Sequence, residues 1–189
     1  VALIRAQLEG KVTSNIQLVH GLVSTIATEP DLSEERFTNL ARHLFLHDNQ
    51  LRNIAAAPDL IVRYVHPLGG NELALGLNYT TNADQRDATL RARDTRQIVL
   101  AGPVHLVQGG RGFIGRFPVY YTNAQGEDTF WGIISAVIDA DRLYDESGLT
   151  ASASDIAIAI SGKDGLGMRG PVFYGDAEVL REREHALFR

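Results

Sequence analysis

Two long apolar runs decide the fold, Phe113-Ile-Gly-Arg-Phe-Pro-Val-Tyr-Tyr121 and Phe130-Trp-Gly-Ile-Ile-Ser-Ala-Val-Ile138. Both runs are rich in β-branched and aromatic residues, and the Asn123-Ala-Gln-Gly126 stretch between them predicts a β-hairpin. Shorter apolar runs at 60–66 and 98–107 predict two more strands. Because helical patterns come first and antiparallel strands follow, the sequence indicates an α+β fold.

The first of the predicted helices covers residues 3–28 and carries a ladder of side chains at alternating spacings of four and three. That spacing is typical of a coiled-coil seam, and equally of a helix that packs on its own sheet, so both interpretations stay open. Ser33 and the acids after it predict the start of a second helix that runs through Leu51, and residues 84–94 predict a third. The ladder consists of Leu8, Val12, Asn15, Val19, Leu22 and Ile26.

Several local patterns have plain structural interpretations. Gly110-Arg-Gly112-Phe-Ile-Gly115 has the letters of a dinucleotide-binding loop, but a strand follows it where a helix would be needed, so we expect a hairpin turn. Asp139 and Asp141 are expected to cap a short helix. Residues 156–160 and 171–174 predict short strands of a second, smaller unit.

Composition excludes several classes of protein. The chain has 189 residues, 44% of them hydrophobic and 22% charged, which is typical of a globular domain and not of a disordered tail. The net charge of −5 argues against nucleic acid as a partner. The absence of cysteine excludes disulfides, thiolate nucleophiles and cysteine-based zinc sites. We find no apolar run long enough to span a membrane, and we expect that no signal peptide precedes Val1 and that the chain is an excised module.

Candidate chemistry is sparse. His43 and His47 have the i, i+4 spacing that can hold a metal, but the sequence places no third ligand, so we expect surface or core histidines and no metal or cofactor. Since no nucleophile motif and no motif-supported pair of carboxylates occurs, we expect no catalytic activity.

Arginine is concentrated in one region. Of the 18 basic residues only Lys11 and Lys163 are lysines, and residues 86–116 hold six arginines against two aspartates, a local charge of +4. Such a region can attract a small anion, although the four arginines at 86–96 also fit a solvated helix face. Arg116 differs because it interrupts an apolar strand. Its side chain needs a partner if buried, either a ligand carboxylate or phosphate or an internal acid, unless the side chain is exposed.

Five segments together resemble the CHASE domain, the extracytoplasmic sensor module of bacterial and plant receptors. They span the middle of the chain and are specific as a set. The segments are Asn53-Ile-Ala-Ala-Ala-Pro-Asp-Leu-Ile-Val-Arg-Tyr-Val-His-Pro67, Asn71-Glu-Leu-Ala-Leu-Gly-Leu-Asn-Tyr79, Leu90-Arg-Ala-Arg-Asp-Thr95, Val99-Leu-Ala-Gly-Pro-Val-His-Leu-Val-Gln108 and Gly115-Arg-Phe-Pro-Val-Tyr120.

The resemblance implies a long N-terminal helix followed by two PAS-like α/β lobes with antiparallel sheets. It predicts a helical stalk and second helix at 1–52, a membrane-distal ligand-binding lobe at 53–147 and a membrane-proximal lobe at 148–189. It further implies a homodimer through the N-terminal helix and a periplasmic location between two inner-membrane spans. Ligand binding would pass to a cytoplasmic output domain, a two-component histidine kinase or a GGDEF-type diguanylate cyclase.

The resemblance also implies where a ligand binds. In plant cytokinin receptors of this family an acidic residue and a backbone group pair with the hormone's ring, and these positions match Asn78 and Leu100; a hydroxyl residue of the pocket matches Arg116. Asn78 and Arg116 depart from the plant pattern, so a small anion suits this chain better than an adenine-type hormone. The alternative is a structural dimerisation or partner-binding module without a small-molecule ligand. The complete predicted set is Asn78, Leu100, Gly102, Arg116 and Phe117, with Tyr64 and Tyr79 as walls.

Overall fold

A five-stranded antiparallel sheet forms the centre of the structure, a computed structural model that describes residues 2–46, 48–152 and 157–180. Its strand order is β2-β1-β5-β4-β3. The strands are β1 Leu51–Pro58, β2 Tyr64–His66, β3 Val99–His105, β4 Arg111–Thr122 and β5 Asp128–Asp139. The helices are α1 Ala2–Thr28, α2 Glu34–Leu44, α3 Arg86–Thr95, α4 Ala140–Glu146 and α5 Leu149–Ser152.

The predicted hairpin is confirmed as β4 and β5, the two longest strands. They pair without interruption from Gly112↔Asp139 to Val119↔Gly132 and continue past a bulge to Thr122↔Asp128. Asn123 closes the turn, because its Oδ1 accepts hydrogen bonds from the backbone N–H groups of Gln125 at 3.0 Å and Glu127 at 2.9 Å. This hairpin carries β1 and β2 on one side and β3 on the other.

The prediction of a second helix through Leu51 is wrong in its extent. α2 begins after Ser33, whose Oγ accepts from the Arg36 N–H as predicted, but it ends at Leu44, and Leu51–Pro58 form β1. Three consecutive alanines at 55–57 favour a helix in isolation. In the fold these alanines are buried in a strand between β2 and β5, and the pairing overrides the local preference. The strand predicted at 60–66 is reduced to β2.

The sheet has two covered faces, which we call the α1 face and the α3 face after the helices packed on them. The α1 face buries large apolar side chains such as Phe117, Ile134 and Ile138 against α1 and α2. The α3 face buries smaller side chains, among them the alanines at 55 and 57, under α3 and the parts of residues 60–79 that lie outside β2. Since side chains alternate along a strand, neighbouring residues of β4 belong to different faces.

The ladder on α1 packs inside the chain. Asn15, Val19, Leu22 and Ile26 are buried on the α1 face, while Leu8 and Val12 are partly buried there. The structure thus shows the intrachain interpretation for these positions. A dimer contact through α1 would have to use its other, solvent-exposed side.

A polar network locks α1 to the start of β1 and to α4. The Asn15 side chain donates to Gln50 Oε1 at 2.8 Å and accepts from the Gln50 N–H at 3.1 Å. Gln50 in turn donates to Glu146, which also pairs with Lys11 and Arg142. Burial alone would raise the pKa of Glu146, but these hydrogen bonds outweigh it and lower the pKa. Glu146 therefore stays charged, and the network stays intact, at neutral pH.

A smaller unit follows α5. β6 Ile160–Ser161 pairs with β7 Val172–Tyr174, and two short 3₁₀ turns, Lys163–Gly165 and Gly167–Arg169, lie between them. Phe173 packs edge-to-face on Phe113 of the main sheet. The α+β class with a long N-terminal helix and two lobes is confirmed. Of the predicted strand at 156–160, residue 156 lies outside the described residues.

We expect Asn15→Ala to lower the free energy of unfolding by about 2 kcal/mol, because it leaves the buried Gln50 N–H without a partner. Urea unfolding followed by circular dichroism measures the change. Gln17→Ala, an exposed position two residues along the same helix, is the matched control and should have little effect. Equal effects for the two variants would show that the network does not stabilise the fold.

Candidate functional site

Arg116 lies in the middle of the α3 face. The strand pairings place Val65, Ala55, Ser135, Arg116 and Val99 in one row across the five strands. Arg116 has an exposed fraction of 0%, and no larger side chain among the described residues is buried so completely. A charged residue in that position is costly unless its environment solvates it.

Neutral groups surround the guanidinium. Its Nη1 donates to Ser135 Oγ at 2.7 Å, and its Nη2 donates to Gln85 Oε1. The ring of Tyr79 lies over the guanidinium carbon at 4.2 Å, and the Tyr79 hydroxyl is 3.0 Å from Ser135 Oγ. Nε is buried and has no hydrogen-bond partner. The site is a cluster of four residues, Tyr79, Gln85, Arg116 and Ser135, which we call the Arg116 cluster.

The described part of the chain supplies no countercharge to this cation. Among the described residues no carboxylate forms an ion pair with Arg116, so neither the internal salt bridge nor the solvent exposure considered from the sequence is observed there. Burial lowers the pKa of the guanidinium, and Tyr79 opposes that shift only in part. Since an arginine in a protein stays protonated, the cluster holds an uncompensated positive charge.

Two elements cover this charge. Residues 60–79, apart from strand β2 itself, form what we call the cover segment, which runs from a turn in which Asp59 and Leu60 have positive φ and ends at Tyr79. α3 follows and packs Ala88 and Ala92 on the sheet, with Gln85 directly before its first residue. Because Tyr79 and Gln85 belong to these two parts, opening the cover would also remove two of the partners of Arg116.

The predicted site residues divide between the two faces of the sheet. Arg116 and Tyr79 come together, whereas Phe117 and Tyr64 pack on the α1 face, where the Tyr64 hydroxyl donates to Leu32 O. Asn78 lies next to Tyr79, but its Oδ1 accepts from the N–H and the hydroxyl of Thr80 and so closes a local turn.

Leu100 and Gly102 lie at a separate cleft of about 310 Å³ between α1, β3 and the smaller unit. Gly102 has φ 108°, and a Cβ there would be 2.6 Å from Gly112 O, so only glycine fits. Its N–H donates to Asp164 Oδ1 at 2.7 Å. The backbone at Gly102, predicted as part of the ligand site, is therefore contacted by Asp164 of this chain.

Sequence reasoning missed Gln85 and Ser135. A signal existed for Ser135, since it is the single polar residue in the apolar run 130–138 and pairs directly with Arg116. Gln85 gave no signal, because its place beside Arg116 depends on how α3 packs.

The remaining candidates have structural roles. Gly109 and Gly110 have positive φ in the β3–β4 turn, which confirms the hairpin interpretation of the glycine-rich stretch. Asp139 caps α4 by accepting from the Arg142 N–H at 2.9 Å, whereas Asp141 pairs with Arg111.

Of the arginines at 86–96, three form exposed ion pairs with aspartates, as a solvated helix face would. His43 Nδ1 lies 2.7 Å from Asn39 O, and His47 lies outside the described residues.

The sequence model of the CHASE domain matches residues 33–174. This chain belongs to the CHASE domain family. CHASE domains are extracytoplasmic sensor modules and not catalysts, in agreement with the expectation that the chain is not an enzyme. The comparison with curated proteins gives no match. None of the described helices is sufficiently long and apolar to cross a membrane.

The fold of this CHASE domain also occurs in a solved structure, an extracellular ligand binding receptor from Desulfohalobium retbaense DSM5692. The TM-score is 0.61 at 17% sequence identity, and the match covers 77% of this chain. The chain spans only 26% of the length of that receptor, so the similarity concerns the fold of one part of it.

We expect Arg116→Met to leave the free energy of unfolding of the ligand-free domain unchanged or to raise it by about 1–3 kcal/mol, since it removes a desolvated charge but keeps an apolar stem. Arg116→Ala is the control and should lower it by about 2–4 kcal/mol through the cavity it leaves. Denaturant unfolding of both variants measures this. Equal losses would mean that the guanidinium itself stabilises the sheet.

Proposed function

We propose that this CHASE domain is a small-molecule sensor that binds an anionic ligand at the Arg116 cluster. The observation that carries the proposal is a fully buried guanidinium with an unpaired Nε and no countercharge among the described residues. An incoming carboxylate or phosphate would supply both the missing charge and the missing acceptor.

The partners of Arg116 support an anion over an adenine-type ligand. Ser135 and Gln85 accept from the guanidinium through neutral oxygens, so they orient the cation without neutralising it. Asn78, at the position of the plant receptors' acidic residue, has its Oδ1 engaged by Thr80. An adenine-type ring would therefore meet a cation and lack the acidic partner.

Ligand entry requires the cover segment or α3 to move, because the cluster is closed to solvent. Contacts of Asp164 would transmit such a movement to the smaller unit. Arg91 of α3 donates to the Asp164 carbonyl, and the Asp164 carboxylate accepts from the Gly102 N–H of β3. Asp164 thus touches both an element over the ligand site and a strand of its sheet. Ligand binding would bias two arrangements of these lobes.

The receptor context is part of the proposal. We infer a periplasmic domain held by flanking spans in the inner membrane, with a histidine kinase or diguanylate cyclase as output. A homodimer through α1 would use the exposed side of that helix, where Gln7, Gly10, Ser14, Gln17 and Gly21 follow one another at spacings of three and four. Of these residues Gly10, Ser14 and Gly21 are small and would let two helices approach closely.

Thermal shift tests the ligand site. We expect an organic acid or inorganic phosphate to raise the Tm, by roughly 5–10 °C at a hundred times its Kd for a chain of this length, while neutral adenine does not. Arg116→Met should abolish the shift, and Arg86→Met, an exposed arginine paired with Asp87, should retain it. If no anion raises the Tm of the unmodified chain, the domain is better described as a structural dimerisation module.

The Asp164 contact is testable separately. Asp164 has φ 61°, which both asparagine and glycine tolerate, so Asp164→Asn keeps an acceptor and Asp164→Gly removes it without backbone strain. We expect the Gly102 amide to exchange with deuterium on the order of tenfold faster in Asp164→Gly, and near the parent rate in Asp164→Asn. Equal rates in all three proteins would rule out the route through Asp164.

A further inference from the structure

The α3 face carries a second buried donor without a partner. Four buried side-chain polar atoms among the described residues lack a hydrogen bond, and two of them are donors on this face, Arg116 Nε and Asn53 Nδ2. Asn53 is 1% exposed. The other two atoms are Asn82 Oδ1, of a partly exposed residue, and Tyr144 OH, which lies with the α1 face. Buried donors without partners are rare, so two on one face call for a common explanation.

The hydrogen-bond network fixes which atom of Asn53 is free. Asn71 Nδ2 donates to Pro67 O at 3.0 Å, and its Oδ1 accepts from Arg52 Nε at 3.2 Å, so the Asn71 amide has one orientation. Gln108 Nε2 donates to Asn71 Oδ1 at 3.4 Å and to Asn53 Oδ1 at 3.2 Å. The Asn53 oxygen is therefore the atom facing Gln108, and its NH₂ group is left unpaired.

The register places the two donors apart on one surface. Asn53 pairs with Val137 and Arg116 pairs with Ser135, so both flank β5, two positions apart along it. Standard strand spacings give about 12 Å between their Cα atoms. Ser135 and Val137 of β5 lie between them on this face, and the small side chain of Ala55 lies next to Asn53, opposite Ser135. A single carboxylate cannot reach both donors.

We infer that Asn53 is the second anchor of the ligand, which is an elongated molecule with an acceptor group at each end, of the straight-chain dicarboxylate class. One carboxylate meets Arg116 Nε and the other meets Asn53 Nδ2. This inference rests on the proposed function and deepens it, since it assigns the far end of the same site.

The charge pattern favours a diacid over an amino acid of equal length. The buried polar residues of the described chain include arginine, asparagine, glutamine, serine and threonine, but no aspartate or glutamate. A ligand ammonium would find no carboxylate there and would lose its hydration without compensation. Both ends of the ligand should therefore be acceptors.

The experiment is a calorimetric titration of this chain with dicarboxylates from malonate to suberate, with the matched monocarboxylates, and with glutamate against glutarate. We expect a preferred diacid length, with monocarboxylates and glutamate binding at least tenfold more weakly than the best diacid. Asn53→Leu, which is close in size, should raise the Kd of the best diacid at least tenfold and change the Kd of the monocarboxylates by less than twofold. Asn53→Asp keeps the acceptor for Gln108. It should weaken diacid binding as strongly, because the new carboxylate repels the ligand carboxylate at neutral pH. Gln125→Leu, at the exposed hairpin tip, is the control.

The outcomes separate the two proposals. If monocarboxylates bind as tightly as diacids and neither Asn53 variant changes the Kd, the second anchor is wrong while the Arg116 site stands. If glutamate binds more tightly than glutarate, the site accepts an ammonium and the diacid class is wrong. If no acid binds the parent chain, or Arg116→Met binds acids unchanged, both the anchor and the proposed function fail.

Discussion

The Arg116 guanidinium is buried with no carboxylate partner among the described residues, and this constrains the whole α3 face. In water all five of its N–H donors would be solvated, and the fold replaces that shell with the dipoles of Ser135 and Gln85 and the ring of Tyr79. These groups come from β5, from the residue before α3 and from the end of the cover segment. The cation is therefore solvated only when sheet, helix and cover are assembled, so the site and its closure form together.

The α1 face of the sheet contributes most to folding stability, whereas the α3 face carries the proposed ligand site. The α1 face buries large side chains such as Phe37, Phe117 and Ile134, whose apolar area provides much of the driving force for folding. The α3 face has more alanine and valine among its buried residues and carries the two buried donors that have no partner among the described residues. Because adjacent residues of one strand serve different faces, Arg116 and Phe117 are neighbours in the chain with unrelated tasks.

Strong periodic signals predicted the hairpin, the long helix and the unusual character of Arg116. The failures have physical causes. Alanines at 55–57 have no intrinsic preference for a strand, so β1 becomes visible only through its pairing with β5. Strand alternation, applied strictly, already separates Phe117 from Arg116, whereas the predicted ligand site grouped them. Gln85 and Asn53 depend on packing and on a network of four side chains, which no local pattern encodes.

The Asn15–Gln50 pair has a consequence for how α1 could transmit motion. Sliding the helix by one residue, about 1.5 Å along its axis, would move the Asn15 amide away from both the backbone and the side chain of Gln50. Translation of α1 along its axis relative to the sheet would thus break the two buried hydrogen bonds between Asn15 and Gln50. Tilting or turning α1 together with the sheet breaks neither bond. These two bonds join α1 to the sheet, so α1 can transmit a movement of the whole lobe as a rigid body.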